Sequence, residues 1–226
     1  MFMAERIDVF ISSTSRDLAV YRDAITKVIL RMGLYPIIME AFNATDRNAL
    51  QLCYDKVQEA EIFVGIYAHR YGYSPGPDVT YTLLDGTTET GDSETGITHL
   101  EYLWAVEQNI PMLLFIISET DANGDPLVWP VVHIDDEPSK TRLKSFKNMI
   151  MGKHVVGFFH SPDHLASQVA TGLSDIMKRF QDQGGKFAAS GKVGITEKTR
   201  LFRSLETNSL RGFREGLKNH YGAGHG

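Results

Sequence analysis

One carboxylate stands out in the stretch GITHLEYLWAVEQNIPMLLFII, residues 96–117. Ile97, Leu100 and Trp104 recur at helical spacing, and Glu101 lies beside this apolar stripe on the predicted helix. A carboxylate in that setting is either a solvated side chain on the helix flank or a working group of a site. In a site it would act as an acid, a base or a stabiliser of positive charge.

A second group of polar residues follows the first predicted strand, in ISSTSRD at 11–17. Ser12, Ser13 and Thr14 bring hydroxyls to a strand-to-helix turn, where backbone N–H groups can bind phosphate or a ribose hydroxyl. Arg16 adds a cation suited to a diphosphate. The alternative is that these hydroxyls only cap the helix.

Aromatic residues follow the third predicted strand, in GIYAHRYGYSP at 65–75. Tyr67 and Tyr71 are suited to stacking on a base or a nicotinamide ring. His69 is suited to moving a proton. The alternative is a surface loop whose tyrosines pack on their neighbours and whose histidine is an ordinary polar side chain.

Several common chemistries have no motif in this chain. The dinucleotide fingerprint GxGxxG, the Walker pattern GKS or GKT and the hydrolase pattern GxSxG are all absent. No HExxH-type or cysteine pattern is present, so we expect no metal site. Cys53 is the single cysteine; it lies on the apolar side of its predicted helix and is expected to be a core residue.

Short apolar runs alternate with amphipathic helical stretches along the chain. We predict five strands, each followed by a helix, with the strands at 7–12, 34–39, 61–68, 111–117 and 154–159. The predicted helices span 15–33, 45–60, 97–108, 139–151 and 161–181. The segment 69–96 is predicted to be a long polar loop. The fold expected from this alternation is a five-stranded parallel sheet with helices on both faces, flavodoxin-like in strand order.

This topology places the candidate residues at one edge of the sheet. In an open parallel sheet, ligands bind outside the carboxyl ends of the strands. The loops at 12–17 and 69–76 and the start of the helix that carries Glu101 all lie at that edge. Glu107 lies near the other end of the helix and is therefore the poorer candidate.

Composition and charge bound the class of protein. The chain has 226 residues, 42% hydrophobic and 23% charged, with a net charge of −5, which argues against direct binding of nucleic acid. The sequence contains no apolar run long enough for a membrane span, and the lone cysteine fits a cytoplasmic protein. We predict an α/β domain at 1–183, a flexible glycine-rich linker at 184–196 and a basic, weakly helical tail at 197–226.

The first strand and helix, IDVFISSTSRDLAVYRDAITKVILRMGLYPIIME, resemble the start of a TIR-like bacterial domain family formerly of unknown function. The resemblance continues through GIYAHRYGY, the HLEY helix, the PMLLF strand and FFHSPDHLASQV, and so covers about residues 6–180. Taken together, the motifs FISST with RDL, HRYGY and HLEY are fairly specific for this family, whereas each motif alone would be weak evidence.

This resemblance implies a TIR-like three-layer fold and an activity. Domains of the family usually stand at the N-terminus of STAND or NACHT-type NTPases linked to antiphage defence, and related TIR domains hydrolyse NAD with a glutamate that corresponds to Glu101. NAD would be the substrate, with no separate cofactor. Ser12, Ser13, Thr14 and Arg16 would flank the adenosine diphosphate. Ile97 occupies the position where TIR enzymes commonly carry a tryptophan, and no Walker motif follows.

Three functional hypotheses follow from these residues and the resemblance. The first is an NAD-cleaving effector activated by self-association, with Glu101 catalytic and Tyr67, His69, Tyr71 and Trp104 around the nicotinamide ribose. The second is a non-catalytic interaction or nucleotide-sensing module, working with an NTPase or sensor as partner or fused domain. The third is a nucleoside transferase that acts on another N-glycosidic bond with the same glutamate.

Overall fold

The structure is a computed structural model that describes residues 6–39 and 48–182. Its main feature is a sheet of five parallel strands, as the sequence predicts. The strands of this sheet are β1 Asp8–Ser12, β2 Tyr35–Ile37, β3 Ile62–Tyr67, β6 Met112–Ile117 and β7 Gly157–Phe159. They are ordered β2-β1-β3-β6-β7, the doubly wound order expected from the alternation of strands and helices.

Helices cover both faces of the sheet, which gives three layers. The five α-helices among the described residues are α1 Ser15–Arg31, α2 Ala49–Glu59, α3 Ile97–Glu107, α4 Ser139–Lys153 and α5 Pro162–Asp182. Residues of α1 and α5 share one buried cluster with Val9 and Val64, whereas residues of α2, α3 and α4 share the other with Phe10 and Phe63. Successive side chains of a strand point to opposite faces, so both faces of the central strands are apolar.

The register of the central strands places two small residues side by side. Ser12, the last residue of β1, pairs with Gly65 of β3. Because side chains alternate along a strand, Ser12 lies on the same face as Phe10, under α2 and α3. The C-terminal end of β1 therefore brings a hydroxyl beneath the helix layer that contains Glu101.

The prediction of a continuous loop at 69–96 is wrong in its middle. An antiparallel hairpin is present there, formed by β4 Thr80–Thr82 and β5 Thr88–Thr90. Each strand has only three residues, but the sequence carries a signal for the hairpin. Val79, Tyr81 and Leu83 alternate with threonines, and Asp85-Gly86 is a typical turn pair. Tyr81 anchors the hairpin, because its buried ring packs against Tyr54 and Trp104.

Helix ends follow the expected capping chemistry. Ser161 precedes α5, and its Oγ accepts a hydrogen bond from the backbone N–H of His164. Asn48 caps α2 by accepting from the N–H of Gln51, so this helix begins later than the predicted residue 45, which lies outside the described residues. The predicted linker at 184–196 and tail at 197–226 also lie outside them and stay predictions.

Candidate functional site

Glu101 lies one turn into α3, with its carboxylate under the helix layer. The side chain is only 3% exposed, and Ser12 Oγ donates a hydrogen bond of 2.6 Å to Glu101 Oε2. The fold thus resolves the ambiguity of the helix pattern: Glu101 is not a solvated flank residue. A buried carboxylate is costly unless it is neutralised or hydrogen-bonded, so this position is chemically unusual.

The environment of Glu101 raises its pKa to about 7, with burial as the main cause. Three groups oppose that shift by favouring the ionised form, namely the Ser12 hydroxyl, the positive charge of Arg22 on α1 and the Cys53 thiol on α2. The carboxylate is therefore poised to change protonation state near neutral pH. A pKa close to the working pH is suited to proton transfer and to charge stabilisation.

Tyr67 is the second predicted residue that lies beside Glu101. Burial, followed by the negative charge of Glu101, raises the pKa of the Tyr67 phenol. The hydroxyl approaches Ser12 but makes no hydrogen bond of normal geometry within the described residues. A Cβ placed on Gly65 would lie 2.4 Å from the Tyr67 hydroxyl oxygen, so the ring folds back over the glycine. The absence of a side chain at Gly65 thus makes room for the tyrosine.

The polar side chains of the loop after β1 make different contacts. Ser12 contacts Glu101, whereas the Thr14 hydroxyl donates to Asp17 Oδ1 at 2.5 Å in the first turn of α1. Ser13 Oγ is buried and has no hydrogen-bond partner among the described residues. Arg16 is exposed to solvent. Ser12 is therefore the one residue of this predicted group whose side chain bonds to the carboxylate within the described residues.

The loop after β3 is tied to the start of α3. The backbone carbonyl of Tyr71 accepts from the Thr98 hydroxyl at 3.1 Å, and the Tyr71 hydroxyl lies 2.9 Å from His99 Nδ1. A Cβ on Gly96 would lie 2.8 Å from the Tyr71 carbonyl oxygen, so the close approach of loop and helix requires glycine there. This contact fixes the loop against the helix that carries Glu101.

His69 lies in a separate cluster at the same edge of the sheet. Its ring centroid is 4.8 Å from that of Trp129, and its backbone N–H donates to Asp17. Burial, with a smaller effect of the nearby Lys147, lowers the pKa of His69 to about 4. His69 is therefore neutral at pH 7 and can accept or donate a hydrogen bond but carries no charge.

Trp104 is a residue of α3 whose side chain lies in the core. It is fully buried, and its ring makes edge contacts with Tyr54 and Tyr81, with centroid distances of 5.3 and 5.2 Å. In the described conformation its ring presents no surface to solvent. Its contacts are those of a packing residue that links α2, α3 and the hairpin.

Sequence reasoning missed two neighbours of Glu101. Cys53 was expected to be a core residue, and it is buried, but its thiol also faces the carboxylate. Burial and the charge of Glu101 both raise the pKa of this thiol, so it stays protonated. Arg22 is a buried cation on a helix that otherwise packs on the opposite side of the sheet. An arginine within an apolar stripe was the available signal.

Within residues 6–39 and 48–182, no group of three or more histidine, cysteine or acidic residues is arranged to hold a metal ion. No helix in these ranges is long and apolar enough to cross a membrane.

Fold and site together define an α/β protein with a buried carboxylate at the carboxyl edge of a parallel sheet. Residues 8–174 match the family described as Domain of unknown function (DUF4062). This match covers most of the chain, and the protein belongs to that family.

Two further similarities are more distant. Telomerase protein component 1 of Rattus norvegicus is 26% identical over 166 residues, which is 64% of this chain but only 6% of that protein. A solved structure, the CMP N-glycosidase BcmB of Clostridium botulinum, matches 72% of this chain and 96% of its own, with 13% identity and a TM-score of 0.38. That likeness is too distant to indicate a shared fold or substrate.

Proposed function

We propose that this protein is a TIR-like effector that cleaves the nicotinamide N-glycosidic bond of NAD or a related nucleotide, with Glu101 as the catalytic residue. The observation that carries the proposal is the buried Glu101 carboxylate, hydrogen-bonded by Ser12 and with a pKa of about 7, at the ligand-binding edge of the sheet. The choice of the nicotinamide N-glycosidic bond as the one cleaved rests on the sequence resemblance to TIR-like domains.

The proposed reaction needs a fixed negative charge and no metal. The bond between C1′ and the nicotinamide nitrogen breaks, and its electron pair leaves with neutral nicotinamide. The ribose then carries an oxocarbenium-like positive charge, which the ionised Glu101 stabilises. Water adds to C1′ and transfers its proton to the Glu101 carboxylate, which releases it to solvent. The products are nicotinamide, ADP-ribose and a proton.

The neighbouring residues fit two sides of such a substrate. Tyr67 lies beside Glu101 and, with His69 and Tyr71, would line the nicotinamide side. Ser13, Thr14 and the exposed Arg16 lie at the start of α1, where a diphosphate is favoured. The Ser12 hydroxyl already donates a hydrogen bond to Glu101, so we assign Ser12 to holding the carboxylate and not to binding the diphosphate.

Access to Glu101 suggests how the activity would be controlled. The carboxylate is 3% exposed, so a nucleotide ribose reaches it only if the surrounding chain moves. We propose that self-association supplies this movement, as part of a cytoplasmic bacterial immune response. An NTPase or sensor, as partner or as fused domain, would trigger the assembly.

The decisive experiment measures nicotinamide release from NAD by the concentrated or surface-immobilised full chain. Glu101→Gln removes the charge with little change of shape, and Glu107→Gln is a matched control at the other end of α3. We expect at least about a hundredfold loss for Glu101→Gln and near wild-type release for Glu107→Gln. Equal release from both variants would remove Glu101 from the mechanism. A panel of other nucleotides, assayed for free base, identifies the substrate.

The same burial also favours a second candidate function, a non-catalytic interaction or nucleotide-sensing module. A carboxylate that is 3% exposed and satisfied by Ser12 can serve as a polar tie between β1 and α3. On this hypothesis, assembled wild-type protein releases no base from any nucleotide. Calorimetric titration with NAD then separates a sensor, which binds it, from a pure interaction module, which does not.

A further inference from the structure

The segment between β6 and α4 exposes an unusual amount of apolar surface. Val128, Val131 and Val132 are 93%, 83% and 75% exposed, and Ile134 is 38% exposed. These four residues, which we call the valine platform, lie within seven positions of one another. Single exposed apolar side chains are ordinary, but a contiguous group of them marks an interaction surface.

The valine platform is held in place from below. Trp129 lies in the middle of the segment and packs inward, with its ring centroid 5.9 Å from that of Tyr21 and 4.8 Å from that of His69. The segment therefore already packs its largest apolar side chain, partly buried, against the core. The exposed valines are therefore not core residues of this segment.

The far end of the segment is held by charge and hydrogen bonds. Asp135 pairs with Arg70 at 3.2 Å and accepts from the backbone N–H of Tyr71 at 2.6 Å. Arg70 also donates to the Val132 carbonyl oxygen at 3.3 Å. These contacts fix the backbone that carries the exposed valines, so a partner would meet a preorganised surface.

The segment that carries the valine platform is acidic. Residues 118–138 contain six aspartate or glutamate residues and no lysine or arginine. Asp135 is engaged by Arg70, and Asp121 accepts backbone N–H groups of its own turn. Glu119, Asp125 and Asp136 are exposed to solvent. The segment thus combines exposed apolar side chains with exposed carboxylates.

We propose that the valine platform is a docking surface for a basic protein segment with regularly spaced apolar side chains. The apolar side chains of that segment would cover the valines, and its lysines or arginines would face Glu119, Asp125 and Asp136. A neutral apolar partner would gain nothing from these carboxylates, and an acidic one would be repelled. The proposal does not depend on the chemistry of Glu101.

The chain itself supplies a probe of this composition. Residues 197–218, outside the described residues, carry six lysines or arginines against three glutamates. Their apolar residues include Leu201, Leu205 and Leu217. A synthetic peptide of this sequence is therefore the test ligand, and the same peptide with every lysine and arginine replaced by glutamate is its control.

The test places a photo-crosslinking amino acid at position 132 of the full chain, and at Val20 on α1 as a control that is 64% exposed. We expect crosslinks from position 132 to the added peptide, and none to the charge-reversed peptide. The control position should not capture this sequence. Asp125→Lys with Asp136→Lys should lower the yield by about fivefold or more, as should high salt.

Three results would overturn the proposal. One is no capture of the added peptide at millimolar concentration. Another is equal capture of the charge-reversed peptide, which would mean contact without charge selection. The third is capture of a second copy through its own valine platform, which would make this surface a self-association interface instead.

Discussion

Ser12 Oγ and Glu101 Oε2 are joined by a buried hydrogen bond of 2.6 Å that links the end of β1 to α3. The two residues are 89 positions apart in the chain. A hydroxyl that donates to a buried carboxylate favours its ionised form, so this one contact influences both the stability of the fold and the charge at the candidate site.

Replacing Ser12 with alanine should raise the pKa of Glu101 above about 7, because the ionised carboxylate loses its donor. We expect the free energy of unfolding at pH 8 to fall by about 1–3 kcal/mol, the usual cost of a buried charged group left without its partner. Urea denaturation measures the stability, and carbon NMR of labelled glutamate measures the pKa.

Ser13→Ala is the matched control for this change. Its Oγ is buried but makes no hydrogen bond among the described residues, so its loss should cost less than about 1 kcal/mol and leave the pKa of Glu101 unchanged. Equal effects of the two substitutions would contradict the role given to Ser12.

The pH dependence of stability should reveal the burial of Glu101. Its pKa is about 7 in the folded protein and 4.5 in the unfolded reference, so the folded state binds the proton more tightly. The contribution of this group is therefore most favourable below pH 4.5 and falls as the pH rises towards 7. The total loss is on the order of 3 kcal/mol.

Glu101→Gln tests this linkage, because glutamine resembles the protonated acid at every pH. We expect the variant to be more stable than wild type at pH 8 by a few kcal/mol, and the two proteins to converge at about pH 4. Thermal or urea denaturation at both pH values measures the difference. A difference that does not vary with pH would mean that Glu101 is not buried as described.

Gly65→Ala should disturb the site from the sheet side. The new Cβ would lie 2.4 Å from the Tyr67 hydroxyl oxygen and 3.0 Å from Leu114 Cδ2, so the tyrosine ring must move. We expect a loss of about 1–3 kcal/mol in the free energy of unfolding and lower activity towards any substrate that contacts Tyr67. Stability is read from urea denaturation and the ring position from NMR of the tyrosine.

Gly152→Ala in α4 is the control for that substitution. Nothing lies within 4 Å of a Cβ at Gly152, so alanine should leave stability unchanged or raise it by up to about 1 kcal/mol through helix propensity. If Gly65→Ala changed stability as little as this control, the described packing of the Tyr67 ring over Gly65 would be contradicted.

Cys53 should be inert towards thiol reagents in the folded protein. The thiol is buried, and burial together with the charge of Glu101 raises its pKa, so the reactive thiolate is scarce. We expect no labelling by a neutral maleimide at pH 7 in buffer and complete labelling in denaturant, measured by mass spectrometry. Rapid labelling of the native protein would mean that the region around Glu101 opens readily.

Much of the fold could be predicted because the local signals were strong. The apolar runs at 61–68 and 111–117 correspond to β3 and β6, and the predicted helix at 97–108 between them corresponds to α3, Ile97–Glu107. The hairpin was missed because its strands have only three residues each, although Val79, Tyr81 and Leu83 alternate with threonines and Asp85-Gly86 indicates a turn. Its position depends on Tyr81 packing against Trp104, a contact between distant parts of the chain.

For this protein, the sequence alone determined the order of elements, and hence the edge of the sheet where Glu101, Ser12 and Tyr67 would gather. Only the tertiary structure decided what these residues do to one another. The burial of Glu101 and the approach of Ser12 and Cys53 depend on how α2 and α3 pack over β1 and β3. A pKa is set by such surroundings in space, which helical or strand periodicity does not encode.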